Sequence, residues 1–190
     1  GPTGNESGTV ISGNLIGSAT AGNKIGGIGI PIYNQSGVSV TGNTIFGVTT
    51  ATTATASGIY VYGTQSGGTI SGNKISDIKN TNTSGYLANG ILLASTSTTA
   101  AISVYNNFIY DISAYGYTTT VTDNGFGIVL YSGGGYNLYN NTINMNTNQT
   151  TGYSSAIYIY STLVTAASVN IRNNIFANTQ TAGATAANRY

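Results

Sequence analysis

Ile70-Ser71-Gly72-Asn73-Lys74-Ile75 is one of six versions of a single hexapeptide, and its recurrence decides the fold. The others are ISGNLI at 11–16, VTGNTI at 40–45, VYNNFI at 104–109, LYNNTI at 138–143 and IRNNIF at 171–176. Their asparagines, Asn14, Asn43, Asn73, Asn107, Asn141 and Asn174, are separated by 29, 30, 34, 34 and 33 residues. A second motif alternates with the first: GIPIY at 29–33, GIYVY at 58–62, GILLA at 90–94, GIVLY at 127–131 and AIYIY at 156–160. Two independent motifs that keep the same order mark a solenoid with a coil of roughly thirty residues.

Each motif has a physical meaning. The second alternates apolar residues with period two, as a strand with one buried face does. It turns Ile30/Ile32, Ile59/Val61, Ile91/Leu93, Ile128/Leu130 and Ile157/Ile159 inward. The strand ahead of each corner does the same with Val38/Val40, Ile102/Val104, Tyr136/Leu138 and Val169/Ile171. Between that strand and the repeat Asn stands Gly13, Gly42, Gly72, Asn106, Asn140 or Asn173. Gly and Asn tolerate a left-handed backbone most cheaply, which predicts a sharp corner here. The repeat Asn then stacks on its counterparts in neighbouring coils, and a ladder of amides satisfies polar groups that a buried corner strands. After the corner Ile16, Ile45, Ile75, Ile109, Ile143 and Phe176 return to the core.

No segment shows helical periodicity over ten or more residues, and no tight-turn pairing pattern suggests hairpins. The expected fold is therefore all-β: a right-handed parallel β-helix, or solenoid, of about six coils, forming one domain over 1–190. The spacing varies because Thr-rich excursions vary, over 49–57, 80–86, 95–100, 117–123, 146–153 and 161–167. These GN-x-I and G-I-x-I coils resemble the right-handed parallel β-helix repeats of the pectin-lyase-like family along nearly the whole chain. The Asn-, Thr- and Tyr-rich, charge-poor style is similar to solenoid segments of large secreted bacterial surface proteins.

Composition narrows the functions. Of 190 residues only nine are charged, five basic and four acidic, with no His or Cys, whereas Gly numbers 27 and Tyr 15. A net charge of +1 provides no basic field for nucleic acid. Without Cys there is neither a disulfide scaffold nor a thiolate metal site. No apolar run approaches the length of a membrane span. Asn5, Asn34, Asn82, Asn140 and Asn148 fit the N-x-[ST] acceptor pattern, which arises by chance in so polar a chain.

The resemblance implies a search for a polysaccharide lyase or hydrolase site. Lyases of that family hold calcium with several acidic residues and use Arg or Lys as base, and its hydrolases use clustered Asp. Here the acids are Glu6, Asp77, Asp111 and Asp123, and the bases Lys24, Lys74, Lys79, Arg172 and Arg189. Asp77 and Asp111 share one place, four residues after the repeat Asn in adjacent coils. Stacked carboxylates there are ordinary Asx turns, a weak cation site, or a pair in which one acts as proton donor with Lys79 nearby. Asp123 sits in a DNG turn signature. The usual general base, His, is absent, and no catalytic residue or cofactor is assigned.

The outward positions of the G-I-x-I strands are more informative. One column reads Tyr33, Tyr62, Ala94, Tyr131 and Tyr160; its neighbour reads Pro31, Tyr60, Leu92, Val129 and Tyr158. This predicts an exposed, Tyr-rich apolar wall, the kind of patch that marks an interaction surface. Three uses compete: ladder contacts within the sheet, lateral packing against another chain, and stacking on sugar rings. Regular Thr columns, as an ice-binding face requires, are missing, because the Thr fall in loops.

The chain starts just before a corner motif and stops at Arg189-Tyr190, where another strand is due, with no recognisable cap at either end. The expectation is a segment of a longer solenoid or a subunit that stacks end to end. The function expected is a non-enzymatic structural or adhesive module, extracellular or at the cell surface. Its partners are copies of itself, neighbouring coils, or a carbohydrate. The alternative is a glycan-binding or polysaccharide-cleaving pectin-lyase-like domain.

Overall fold

A computed structural model describes residues 6–163 and 165–181; Asn5 and Arg189-Tyr190 lie outside them. The chain winds as a parallel β-solenoid; among the described residues three sheets follow its length and a fourth spans three adjacent coils, with all strands paired in parallel. The first sheet holds the strands ahead of the Asn corner, such as Gln35–Thr41, Ser66–Ser71, Ile102–Tyr105 and Tyr136–Tyr139. The second holds the short strands after it, from Leu15–Ile16 to Ile175–Asn178. The G-I-x-I segments form another sheet: Ile28–Tyr33, Ala56–Gly63, Ala88–Ser95, Gly125–Ser132 and Ser154–Ile159. Six corner strands and five G-I-x-I strands among the described residues correspond to about five turns, one fewer than the six coils expected.

The corners take the conformation predicted for them. Gly13, Gly42, Gly72, Asn106, Asn140 and Asn173 all have φ between 53° and 66°. The next residue builds the ladder. The Nδ2 of Asn14, Asn43, Asn73, Asn107 and Asn141 donates to the Oδ1 of the following rung at 2.9–3.0 Å. The same Oδ1 also accepts the backbone N–H of the earlier rung. From Asn43 to Asn141 the second Nδ2 hydrogen reaches a main-chain carbonyl of the preceding coil, as from Asn73 to Val40 and from Asn107 to Ile70, both at 2.9 Å. The four inner rungs are buried with their side-chain polar groups satisfied, the condition for an amide to sit inside a fold.

The core is a set of single-residue columns. Ile59, Ile91 and Ile128 stack in register, as do Ile45, Ile75, Ile109 and Ile143, all fully buried. The glycine of G-I-x-I has a packing cause that periodicity does not reveal. A Cβ on Gly90 would lie 2.5 Å from Ile109 Cγ2 and 2.7 Å from the Gly127 carbonyl oxygen. At this bend the strand's backbone presses directly on the corner isoleucine, leaving no room for a side chain. Ile159 (46%), Ile171 (37%) and Phe176 (40%) keep their predicted columns but are partly exposed, because they belong to the edge strands of their sheets.

One sheet is not foreseen. The excursions predicted from Thr49 and from Asn80 begin inside strands, Val48–Thr50 and Ile78–Asn80, which pair with each other, the second also with Ile112–Ala114. Val48, Ile78 and Ile112 form another buried column. Each of these strands has only three residues, too short for alternation to register against the surrounding Thr and Ser.

Candidate functional site

The two stacked aspartates fall just before the strands of this unforeseen sheet, Ile78–Asn80 and Ile112–Ala114. Asp77 and Asp111 both take left-handed φ, 51° and 56°, where the coil before them has Gly47 at 64°. Each carboxylate has its own lysine: Lys24 Nζ lies 2.7 Å from Asp77 Oδ2, and Lys79 donates to Asp111 Oδ1. Thr147 Oγ1 also donates to Asp111, and Asn146 Oδ1 accepts the Asp111 N–H at 2.8 Å. Burial pulls the Lys79 ammonium below its usual range, and the hydrogen bond to Asp111 opposes that shift. The arrangement is a turn with local charge pairing. Among the described residues no group of three or more acidic side chains that could hold a metal ion occurs.

The Tyr wall differs from its prediction in a specific way. Its ends are open, with the Tyr33 ring packed at a tilt against Tyr62 at 4.7 Å between centroids and Tyr131 likewise against Tyr160 at 4.5 Å. Its middle is covered: Leu92 (3%) and Val129 (1%) are buried, not exposed. They join Phe126 in a small second core, flanked by Tyr60, Leu87 and Tyr158. Leu87, which ends the loop ahead of the Ala88–Ser95 strand, folds back over the outer face of the sheet. The wall is therefore partly a packing layer.

Buried amides hold these loops in place. Asn80 Nδ2 donates to the Ala54 carbonyl at 2.8 Å and to that of Leu87 at 3.4 Å. Asn124 Nδ2 donates to the carbonyls of Tyr117, Thr120 and Val121, while its Oδ1 accepts the N–H groups of Tyr117 and Tyr153 at 2.9 Å. Asn124 is fully buried, so the residue before it, Asp123, is presented from a fixed turn. The DNG turn is as predicted, and it also delivers a carboxylate to the wall.

Between the covered middle and the open Tyr pairs lies a cleft of about 270 Å³. Leu92 is its floor, Tyr60 and Thr55 stand on one side, and Tyr131 and Tyr160 on the other. Tyr86, Leu87, Thr122 and Asp123 complete the lining. A register shift opens this space. Leu93 pairs with Leu130 but Ala94 pairs with Ser132, leaving Tyr131 as the extra residue of a bulge. Bulges re-aim side chains, and Tyr131 is accordingly 42% exposed at the mouth. Opposite Tyr62 stands Ala94, whose small side chain leaves the aromatic column interrupted.

Burial pushes up the hydroxyl of Tyr60, and the neighbouring Tyr131 and Tyr62 add to the effect. Burial likewise raises the Asp123 carboxyl above its ordinary range. Thus Tyr60, Tyr131 and Tyr160 meet as predicted wall residues, whereas Tyr33, Tyr62 and Tyr158 do not line the cleft. Tyr86, Thr55 and Asp123 are additions that sequence reasoning misses, since none belongs to either repeat motif.

No helix among the described residues is long and apolar enough to cross a membrane. Compared with known proteins, the chain matches no family model, no curated protein and no solved structure.

Proposed function

We propose that this chain is a non-enzymatic structural or adhesive solenoid module that works outside the cell or on its surface. In this reading it is a stretch of a longer solenoid, or a unit whose copies stack end to end into a fibre. The observation that carries it is the state of the two outermost rungs. Asn14 is exposed and Asn174 half-buried, whereas the four rungs between them are sealed. At the last coil the inward columns are open as well, with Ile159 46%, Ile171 37% and Phe176 40% exposed. A further coil of the same geometry at each end, from either source, covers these rungs and columns. Kinship with the pectin-lyase-like family belongs to this proposal, supported by the asparagine corners and the G-I-x-I strands.

Electron microscopy of the purified protein tests it. Filaments with an axial repeat near the height of one unit are the expected result for stacking. Dispersed particles that stay monomeric in light scattering at high concentration would rule stacking out and leave the longer-solenoid version. Turnover of any member of a polysaccharide panel would overturn the non-enzymatic part.

A second reading, a glycan-binding or glycan-cleaving domain, is favoured by the Tyr-lined cleft, because aromatic rings stack on sugar faces. Binding ranks ahead of cleavage. Acid–base hydrolysis of a glycoside calls for two carboxylates, and Asp123 is the single one lining the cleft.

A further inference from the structure

The cleft places one carboxylate among four tyrosines and no basic residue: Asp123 with Tyr60, Tyr86, Tyr131 and Tyr160. This is unusual within the molecule itself. Asp77 and Asp111 are each paired with a lysine. Asp123, by contrast, has no side-chain hydrogen bond or ion pair among the described residues, although it is partly withdrawn from water. The cations among the described residues are engaged elsewhere. Lys24 and Lys79 hold the corner aspartates, Lys74 lies 5.7 Å from the Tyr110 ring centroid, and Arg172 donates to Asn170.

A carboxylate drawn out of water without a partner is costly, and a cation entering the cleft relieves that cost. The lining also says which kind of cation. A hard metal ion takes six or more oxygen ligands, and this lining supplies one carboxylate. Tyrosine rings attract positive charge spread over a greasy surface through their quadrupoles, the basis of aromatic cages for quaternary ammonium groups. Leu87 and Leu92 join the rings in the lining and give methyl groups apolar contacts beside the polar ones. The volume, about 270 Å³, suits a small head group. We propose that this cleft binds a small organic cation of the quaternary or methylated ammonium class, with the tyrosine rings as its cage and Asp123 as its counter-charge. The proposal does not rest on the module reading and holds for a stacked or a monomeric solenoid.

The test is calorimetric titration of the purified protein with choline chloride, its neutral isostere 3,3-dimethylbutan-1-ol, and glucose. Saturable choline binding is expected, with the isostere weaker by about tenfold or more, since the charge is what the cage reads. Asp123→Asn and Tyr131→Ala should each weaken choline by about tenfold. Tyr131→Phe, which keeps the ring, should retain most of the affinity. Thermal melts of each variant separate lost binding from lost folding. No saturable choline binding, an isostere that binds equally well, or full affinity in folded Asp123→Asn would overturn the proposal. So would glucose binding in the absence of choline binding, which returns the cleft to the glycan reading.

Discussion

Asn107 Oδ1 accepts two hydrogen bonds from Asn73 of the neighbouring coil, one from its backbone N–H and one from its Nδ2, each at 3.0 Å. Asn107 Nδ2 in turn donates to Asn141 Oδ1 and to the Ile70 carbonyl, both at 2.9 Å. One side chain thus ties together three coils at a buried corner. Asn107→Ala strands several buried donors and acceptors at once, and its expected cost is at least about 3 kcal/mol in chemical denaturation. Asn14→Ala, at an exposed rung, should cost under about 1 kcal/mol. Equal losses at the two sites would mean that the amide ladder contributes little beyond local turn preference.

Gly90 makes a separate prediction about close approach. Ile109 Cγ2 and the Gly127 carbonyl oxygen both lie within 2.7 Å of where an added methyl carbon would stand, so Gly90→Ala forces the coils apart. The expected loss is about 1–3 kcal/mol, typical of overpacking. Gly22→Ala is the control, because nothing lies within 4 Å of its added carbon and it sits in a short 3-10 turn. Urea unfolding of both variants checks the difference.

Tyr136 is a tyrosine wholly inside the core. Its hydroxyl donates to the Ser132 carbonyl at 2.6 Å and accepts the Ser95 N–H at 3.1 Å. Burial pushes its pKa up to about 12, against the backbone bond from Ser95 that favours the phenolate. A raised pKa on an acid that folds in its neutral form means the native state holds the proton longer than the unfolded chain. Stability from this group is therefore complete below about pH 10 and declines as pH rises from there toward 12, by up to about 1.4 kcal/mol per unit. Melting curves from pH 8 to pH 11 on the parent and on Tyr136→Phe check it. The variant should start about 1–3 kcal/mol less stable and lose part of the alkaline slope.

Asp111 separates charge from backbone geometry. Asp111→Asn keeps a residue that tolerates the left-handed φ of 56° and an oxygen for Thr147 and Lys79. It should cost about 1 kcal/mol or less, since the pair is partly exposed. Asp111→Val adds β-branched strain at that φ and should cost clearly more. Similar losses in thermal unfolding would assign the residue's value to charge alone.

How much of this was legible follows from what repeats. The left-handed corners at Gly13 through Asn173 and the inward Ile and Val columns appear five or six times, and repetition makes a weak local preference readable. Val48, Ile78 and Ile112 carry the same information only three times in three-residue strands, and they escape notice. The burial of Leu92 and Val129 is not periodic at all. It depends on Leu87 and Phe126, which adjoin loops held through Asn80 and Asn124.

The sequence by itself determines the solenoid, its Gly/Asn corner and the asparagine ladder, because each coil meets a copy of itself and the pattern alone specifies what stacks on what. Only the tertiary structure decides the cleft. Its floor and walls come from Leu92 and the tyrosines of the repeat, but Thr55, Tyr86 and Asp123 arrive from three separate loops. A single bulge at Leu93/Ala94 opens the space between them. Loop paths and one-residue register shifts are set by long-range packing and hydrogen bonding, which no local period encodes.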